Sequence, residues 1–203
     1  MCNWLWRIGG YTIEMLGRLG IGHIIAVDHD VFQESNLNRQ ILSDNEVIGT
    51  EKAIIAKIRM KKVNSLVSVD AITEKVTVSN CADIIKSCNV VVDALDNIET
   101  RLMLERICFQ ENKPLVSGAI GGWYGQVTTI LPGDNTLKCF FKGKASVGVE
   151  KELGNPSFTP AIIASIQVSE VVKLLIQRGE ILRKKILIID LLNHDYEIIR
   201  LGT

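Results

Sequence analysis

Apolar positions along this chain switch between two periods, and the switches mark its elements. Ile13, Leu16 and Leu19 recur at helical spacing and Gly20 with Gly22 supplies a stop, so a helix is expected from Tyr11. HIIAVDHD (residues 23–30) is a short apolar run ending in acids, the pattern of a strand buried on both faces. Helical spacing returns from Glu46 to Lys62 through Ile54, Ile55 and Ile58, with lysines opposite. SVDAITEKV reads as a strand, and a short helix follows near Cys81 to Ser87. Then come the strand NVVVDAL, the helix NIETRLMLERICFQEN and the strand PLVSGAI.

Strands separated by helices of this length predict an α/β fold, a Rossmann-like doubly wound sheet that is mostly parallel. After Gly121 the character changes. GQVTTILPG looks like an antiparallel continuation, and residues 134–158 form a long loop rich in Gly, Lys and Asn. A helix (Ile162–Gln177), a strand (KKILIIDLL) and a final hairpin strand (YEIIRL) close the chain. No linker or repeat interrupts it, so residues 1–203 are expected to form a single domain with antiparallel C-terminal strands.

Composition narrows the function classes. With 47% apolar and 23% charged residues the chain reads as an ordinary globular protein, and 23 basic residues balance 23 acidic ones. That balance gives no reason to expect nucleic acid or an acidic membrane as partner. No apolar run looks long enough to span a bilayer, and the start does not resemble a signal peptide. Five cysteines without a CxxC pair suit a reducing cytoplasm. Three dispersed histidines give no metal-ligand spacing.

Ligands of open α/β sheets bind beyond the carboxyl ends of the strands, and three such ends carry polar residues here. Asp28 in VDHD stands where a carboxylate would accept hydrogen bonds from both hydroxyls of a ribose; a solvated turn acid is its alternative. ESNLNRQIL offers Asn36, Asn38, Arg39 and Gln40, and Lys52 follows. Two cations and several amides suit a polyphosphate, since Arg grips two oxygens and Lys supplies a point charge. VVVDALDN places Asp93 and Asp96 where a carboxylate would hold Mg²⁺ against phosphate oxygens, with Asn97 as a helix cap or a ligand.

VDHDVFQESNLNRQIL, GTEKA, DALDNIETR and PLVSGAIGGWYGQVT, in this order from about Gly9 onward, resemble the ThiF/MoeB/HesA superfamily of ubiquitin-activating-type adenylyltransferases. The resemblance implies ATP-dependent adenylation of the C-terminal glycine of a small ubiquitin-like protein. Such proteins are often sulfur carriers for thiamine or molybdopterin synthesis, and these enzymes usually work as homodimers. Carried onto matching positions, it implies ribose binding by Asp28, phosphate binding by Asn36, Arg39 and Lys52, and Mg²⁺ at Asp96. Gln40, Asn97 and Arg101 match family positions as well, and Gly9 and Gly10 align with the last two glycines of the family's phosphate loop.

The opening MCNWLWRIGG departs from that loop, because Trp4, Trp6 and Arg7 stand where glycines belong. Backbone N–H groups approach phosphates only where no Cβ intervenes, so an indole there is expected to obstruct ATP. The first strand is missing unless Met1–Trp6 replaces it, and its absence would expose two strand edges. A shortened start, a relative that has lost ATP binding and a rebuilt loop are the three explanations. Zinc is not expected, since Cys139 stands alone near the first of two CxxC pairs found in many members; Cys139 itself is read as a buried structural thiol. The competing functions are a catalytically impaired scaffold or heterodimer subunit, a tRNA-base-adenylating relative, and a plain NAD-dependent oxidoreductase. Trp123 and Tyr124 are candidate anchors for the carrier protein.

Overall fold

The computed structural model describes residues 2–4, 8–141 and 154–201. Its strands are β1 (Cys2–Trp4), β2 (His23–Val27), β3 (Ser68–Ile72), β4 (Val91–Asp93), β5 (Leu115–Gly121), β6 (Tyr124–Ile130), β7 (Lys185–Asp190) and β8 (Asp195–Arg200). They form one sheet in the order β3-β2-β1-β4-β5-β6-β7-β8. The first five positions run parallel and the last three pairings are antiparallel, as the sequence predicts.

Side-chain alternation explains why the parallel strands read as continuous apolar runs. Ile24 and Ala26 face one layer, formed by α1 (Gly9–Arg18), α2 (Lys52–Val63) and α6 (Phe158–Ile176). Ile25 and Val27 face the other, formed by α3 (Val78–Ile85), α4 (Ile98–Gln110) and the short α5 (Thr136–Phe140). Val92 and Val91 divide in the same way, as do Val116 and Leu115. Both faces of these inner strands are covered, so both phases of the pleat are buried.

Cys2–Trp4 occupies the middle of the sheet, pairing with Ile25–Val27 on one side and Val91–Val92 on the other. The expected gap with two open edges is therefore filled. Trp4 also lies within the strand, opposite Val27, rather than in the phosphate loop where the sequence alignment put it. Trp6 and Arg7 lie outside the described residues. From β1 the chain moves outward through β2 and β3, then crosses to the other side of β1 for β4 and β5. The strand order thus reverses between β1 and β4, and such a reversal opens a crevice at the carboxyl edge.

Several expectations are corrected. Residues 46–50 form turns and bends, Glu51 bridges to Val31, and helix α2 begins only at Lys52. Gly49, at φ +82°, occupies the left-handed region and stops any earlier helix. The buried stripe of α2 is Ala53, Ala56 and Met60, whereas Ile58 is exposed. Leu19 is likewise exposed, because α1 ends at Arg18. Cys139 is exposed on α5 rather than buried on a strand end. The long loop contains α5, and residues 142–153 fall outside the described part.

Among the described residues one helix, α6, is long and apolar enough to cross a membrane, with 19 residues and mean hydropathy 1.5. It nevertheless carries polar groups bonded into the core. Glu170 accepts from Thr129 Oγ1 (2.5 Å) and Leu182 N (2.7 Å), and Gln167 Nε2 donates to Asp93 O (2.8 Å). A helix anchored through buried polar side chains to two inner strands of a sheet is a core element.

Candidate functional site

Two cavities flank the carboxyl end of β2 and share His29. The first, about 250 Å³, lies between the exits of β2, β3 and β4, and its lining includes Val27, Asp28, Val76, Leu95, Asp96 and Asn97. The second, about 380 Å³, lies over the segment between β2 and α2, and its lining includes Asp30, Asn36, Arg39, Gln40 and Lys52. Asp28, Asp96 and Asn97 therefore share one chamber, and Asn36, Arg39, Gln40 and Lys52 share the next.

Asp28 is held by its own strand end. Asp30 N donates to Asp28 Oδ1 at 2.9 Å, whereas Asp28 Oδ2 is buried and has no hydrogen-bond partner. The Lys52 ammonium stands 4.0 Å from that oxygen and 3.3 Å from Asp30 Oδ2. Burial pushes the Asp28 carboxyl up to about 6; the Lys52 charge and the Asp30 amide hold it lower than burial alone would. Lys52 is itself buried at the first position of α2, and its N–H donates to Asp30 O (3.0 Å). One oxygen of Asp28, one nitrogen of His29 and one oxygen of Asp30 lie within 4.8 Å of one another. The cation already placed against the two acids is Lys52.

The SNLNRQ segment begins with a 3₁₀ turn, Glu34–Asn36, whose end is tied back by Asn36 Oδ1 accepting from Gln33 N (3.0 Å). Half of the Asn36 amide is thus committed to the turn. Arg39 is aimed by bonds from its guanidinium to Ser35 O (2.6 Å) and Asn38 Oδ1 (2.8 Å). Gly9 and Gly10 open α1 and are buried. Leu42 Cγ lies 3.2 Å from where a Gly10 Cβ would stand, so this helix start packs directly against the chain leaving Gln40.

At the β4 exit the two acids part ways. Asp93 is fully buried and saturated, accepting from Ser117 Oγ (2.6 Å), Arg101 Nη1 (3.2 Å) and Leu95 N (2.8 Å). It offers nothing to a ligand, and the candidate role given it by its place on the strand is withdrawn. Asp96 is half-buried and lines the chamber. Asn97 caps α4, its Oδ1 accepting from Thr100 N at 2.8 Å. Sequence reasoning missed Asp30 as the partner of Lys52, and the Glu74–Val76 wall. The carboxyl-edge rule, applied to the third strand, would have found that wall.

Trp123 in the β5–β6 turn and Tyr124 at the start of β6 sit at the same edge and are exposed; the Trp123 ring lies 4.6 Å from that of Phe158. An apolar chamber, a buried acceptor without a hydrogen-bond partner and a cationic chamber in sequence fit a nucleoside polyphosphate. Residues 7–203 match the ThiF family. The chain belongs to that family.

It is 34% identical over 199 residues to the SAMP-activating enzyme E1 of Haloferax volcanii, covering 97% of this chain and 74% of that protein. It is 31% identical over 198 residues to the Sulfur carrier protein adenylyltransferase of Thermus thermophilus (93% and 73%). To the Sulfur carrier protein ThiS adenylyltransferase of Bacillus subtilis it is 34% identical over 173 residues, spanning 51% of that protein. Among solved structures, E. coli MccB with MccA-N7isoASN superposes with a TM-score of 0.84 at 18% identity, covering 99% of this chain and 64% of that one. MccB with ATP gives 0.80 at 20% identity. At such identities the likeness is one of fold.

Proposed function

We propose that this ThiF-family chain adenylates the C-terminal glycine of a small ubiquitin-like sulfur-carrier protein, using ATP and releasing pyrophosphate. The observation that carries the reading is Asp28 Oδ2, a buried acceptor without a hydrogen-bond partner between an apolar and a cationic chamber. Leaving such an oxygen without a hydrogen bond costs about 1–3 kcal/mol, more for a charged group, and a ribose hydroxyl would relieve it. Val27, Val76 and Leu95 would then enclose the base, and Lys52, Arg39, Gln40 and the free half of the Asn36 amide would meet the phosphates.

A carboxylate oxygen of the carrier's terminal glycine attacks the α-phosphorus. The new P–O bond forms as the bond to the bridging oxygen breaks, and pyrophosphate leaves with that electron pair. Both reactants are anionic, so the protein's task is alignment and charge neutralisation, and no protein nucleophile is needed. Arg39 and Lys52 supply fixed positive charge. Asp96, half-buried in the nucleotide chamber, would hold Mg²⁺, which when bound neutralises phosphate oxygens. The exposed Trp123, Tyr124 and Phe158 suit an apolar patch of the carrier beside the site, and the chain is read as acting as a homodimer in the cytoplasm.

Calorimetric titration with ATP and Mg²⁺, with NAD as control, tests the reading. Micromolar ATP binding is expected, with its Mg²⁺-dependent part removed by Asp96→Ala. No ATP binding to a folded chain would favour the non-catalytic scaffold instead, the reading that Trp6 and Arg7 in place of loop glycines supports.

A further inference from the structure

Beneath Asp96 lies a buried polar cluster drawn from four elements: Asp93 of β4, Arg101 of α4, Ser117 of β5 and Gln167 of α6. Arg101 does more there than neutralise Asp93. Its Nη1 also donates to Gly118 O (3.0 Å), and its Nη2 donates to Leu95 O. Leu95 O belongs to the peptide plane that continues into Asp96 N and Cα, so holding that oxygen sets the plane from which the Asp96 side chain hangs. Gln167 holds a carbonyl two residues earlier, Asp93 O at the end of β4, at 2.8 Å. On the far side Asn97 is fixed as the α4 cap. Asp96 is thus the single residue between two pinned neighbours.

We infer that Arg101 is a positioning residue that orients Asp96 toward a divalent cation, an assignment that rests on the nucleotide–metal reading above. A buried ion pair is a poor device for stability alone, since apolar groups of similar volume usually serve as well or better. Arg101 spends two further donors on main-chain oxygens, one at the exit of β4 and one in the middle of β5, and charge balance with Asp93 requires neither. What those bonds do accomplish is to fix the β4–α4 turn relative to β5.

The test uses the full chain with ATP and Mn²⁺, following bound Mn²⁺ by the loss of the free-ion electron paramagnetic resonance signal. Metal-free ATP affinity is measured separately by calorimetry in chelator. Arg101→Lys keeps a positive charge against Asp93 but lacks the fork. It is expected to weaken Mn²⁺ binding to the ATP complex about tenfold or more, the usual effect of removing a group that orients a ligand, while metal-free ATP affinity changes less than about twofold. Unchanged Mn²⁺ affinity in folded Arg101→Lys, or an equal loss of both affinities, overturns the assignment. If Arg101→Lys fails to fold, Gln167→Met loosens the same turn from the opposite side without touching the ion pair, and a smaller selective loss of Mn²⁺ is expected. No selective loss there overturns the assignment. A wild-type chain that holds ATP but shows Mn²⁺ binding indifferent to Asp96→Asn would sink the metal reading itself, and this inference with it.

Discussion

Replacing Asp28 by Asn is expected to stabilise the ligand-free protein at neutral pH and to disable it. Burial raises the Asp28 carboxyl from its ordinary 3.8 to about 6. Because folding raises the value, the group's contribution is most favourable below 3.8 and is lost as pH rises through 6. The gap is worth about 3 kcal/mol in full. By the same linkage the ionised carboxylate costs the fold about 1 kcal/mol at pH 4.5 and about 3 kcal/mol at pH 7.5. The side-chain amide of the Asp28→Asn variant would carry no such charge, and Lys52 would keep Asp30 at 3.3 Å. Urea denaturation of both proteins at the two pH values should show the variant's advantage growing by about 2 kcal/mol from acid to neutral. At pH 7.5 this corresponds to a melting temperature higher by roughly 6–12 °C for a chain of this length. ATP binding should be lost in the same variant, the trade expected where a site is held in a costly state for its ligand. An advantage that does not grow with pH, or a variant less stable than wild type at pH 7.5, would refute the reasoning.

Other outcomes follow from single contacts. Asn97→Ala removes the α4 cap and should lower stability by about 1 kcal/mol in thermal melts, with Asn97→Asp largely restoring it. Gly118→Ala would place a Cβ 2.5 Å from Gln167 Cδ, and Gln167 is fully buried and bonded to Asp93 O. It should cost about 1–3 kcal/mol by overpacking, and Gln167→Ala in the same chain should recover part of that. Glu105, buried on α4, accepts from Leu137 N (2.7 Å) and Lys138 N (3.1 Å) at the start of α5. Glu105→Ala should therefore strip hydrogen-exchange protection from those two amides and cost about 1–3 kcal/mol.

The inner parallel strands were legible because both their faces are buried, so a run such as HIIAV has one reading. The α2 stripe was not, because Ala53, Ala56 and Met60 are individually weaker signals than Ile54, Ile55 and Ile58, and only packing against the sheet decides between them. Residues 46–51 carried helical spacing but also a left-handed glycine, and backbone stereochemistry won. Of the candidate site, residue types and order were readable; Asp28, Arg39, Lys52 and Asp96 do line adjoining chambers. What no spacing revealed is how each acid is satisfied. Asp93 and Asp96 differ by three positions and look alike in sequence, yet Ser117 and Arg101 saturate one and leave the other to the chamber.

The place of β1 bears on how the chain is made. Cys2–Trp4 can pair with Ile25–Val27 soon after both leave the ribosome, but its other neighbour is Val91–Val92. At about 5–20 residues per second, the centre of the sheet stays half-built for roughly 3–13 seconds of synthesis. During that interval the open side of β1 is a strand edge available to any passing partner. A pause in translation between β3 and β4 would prolong that exposure, while one after β5 would not.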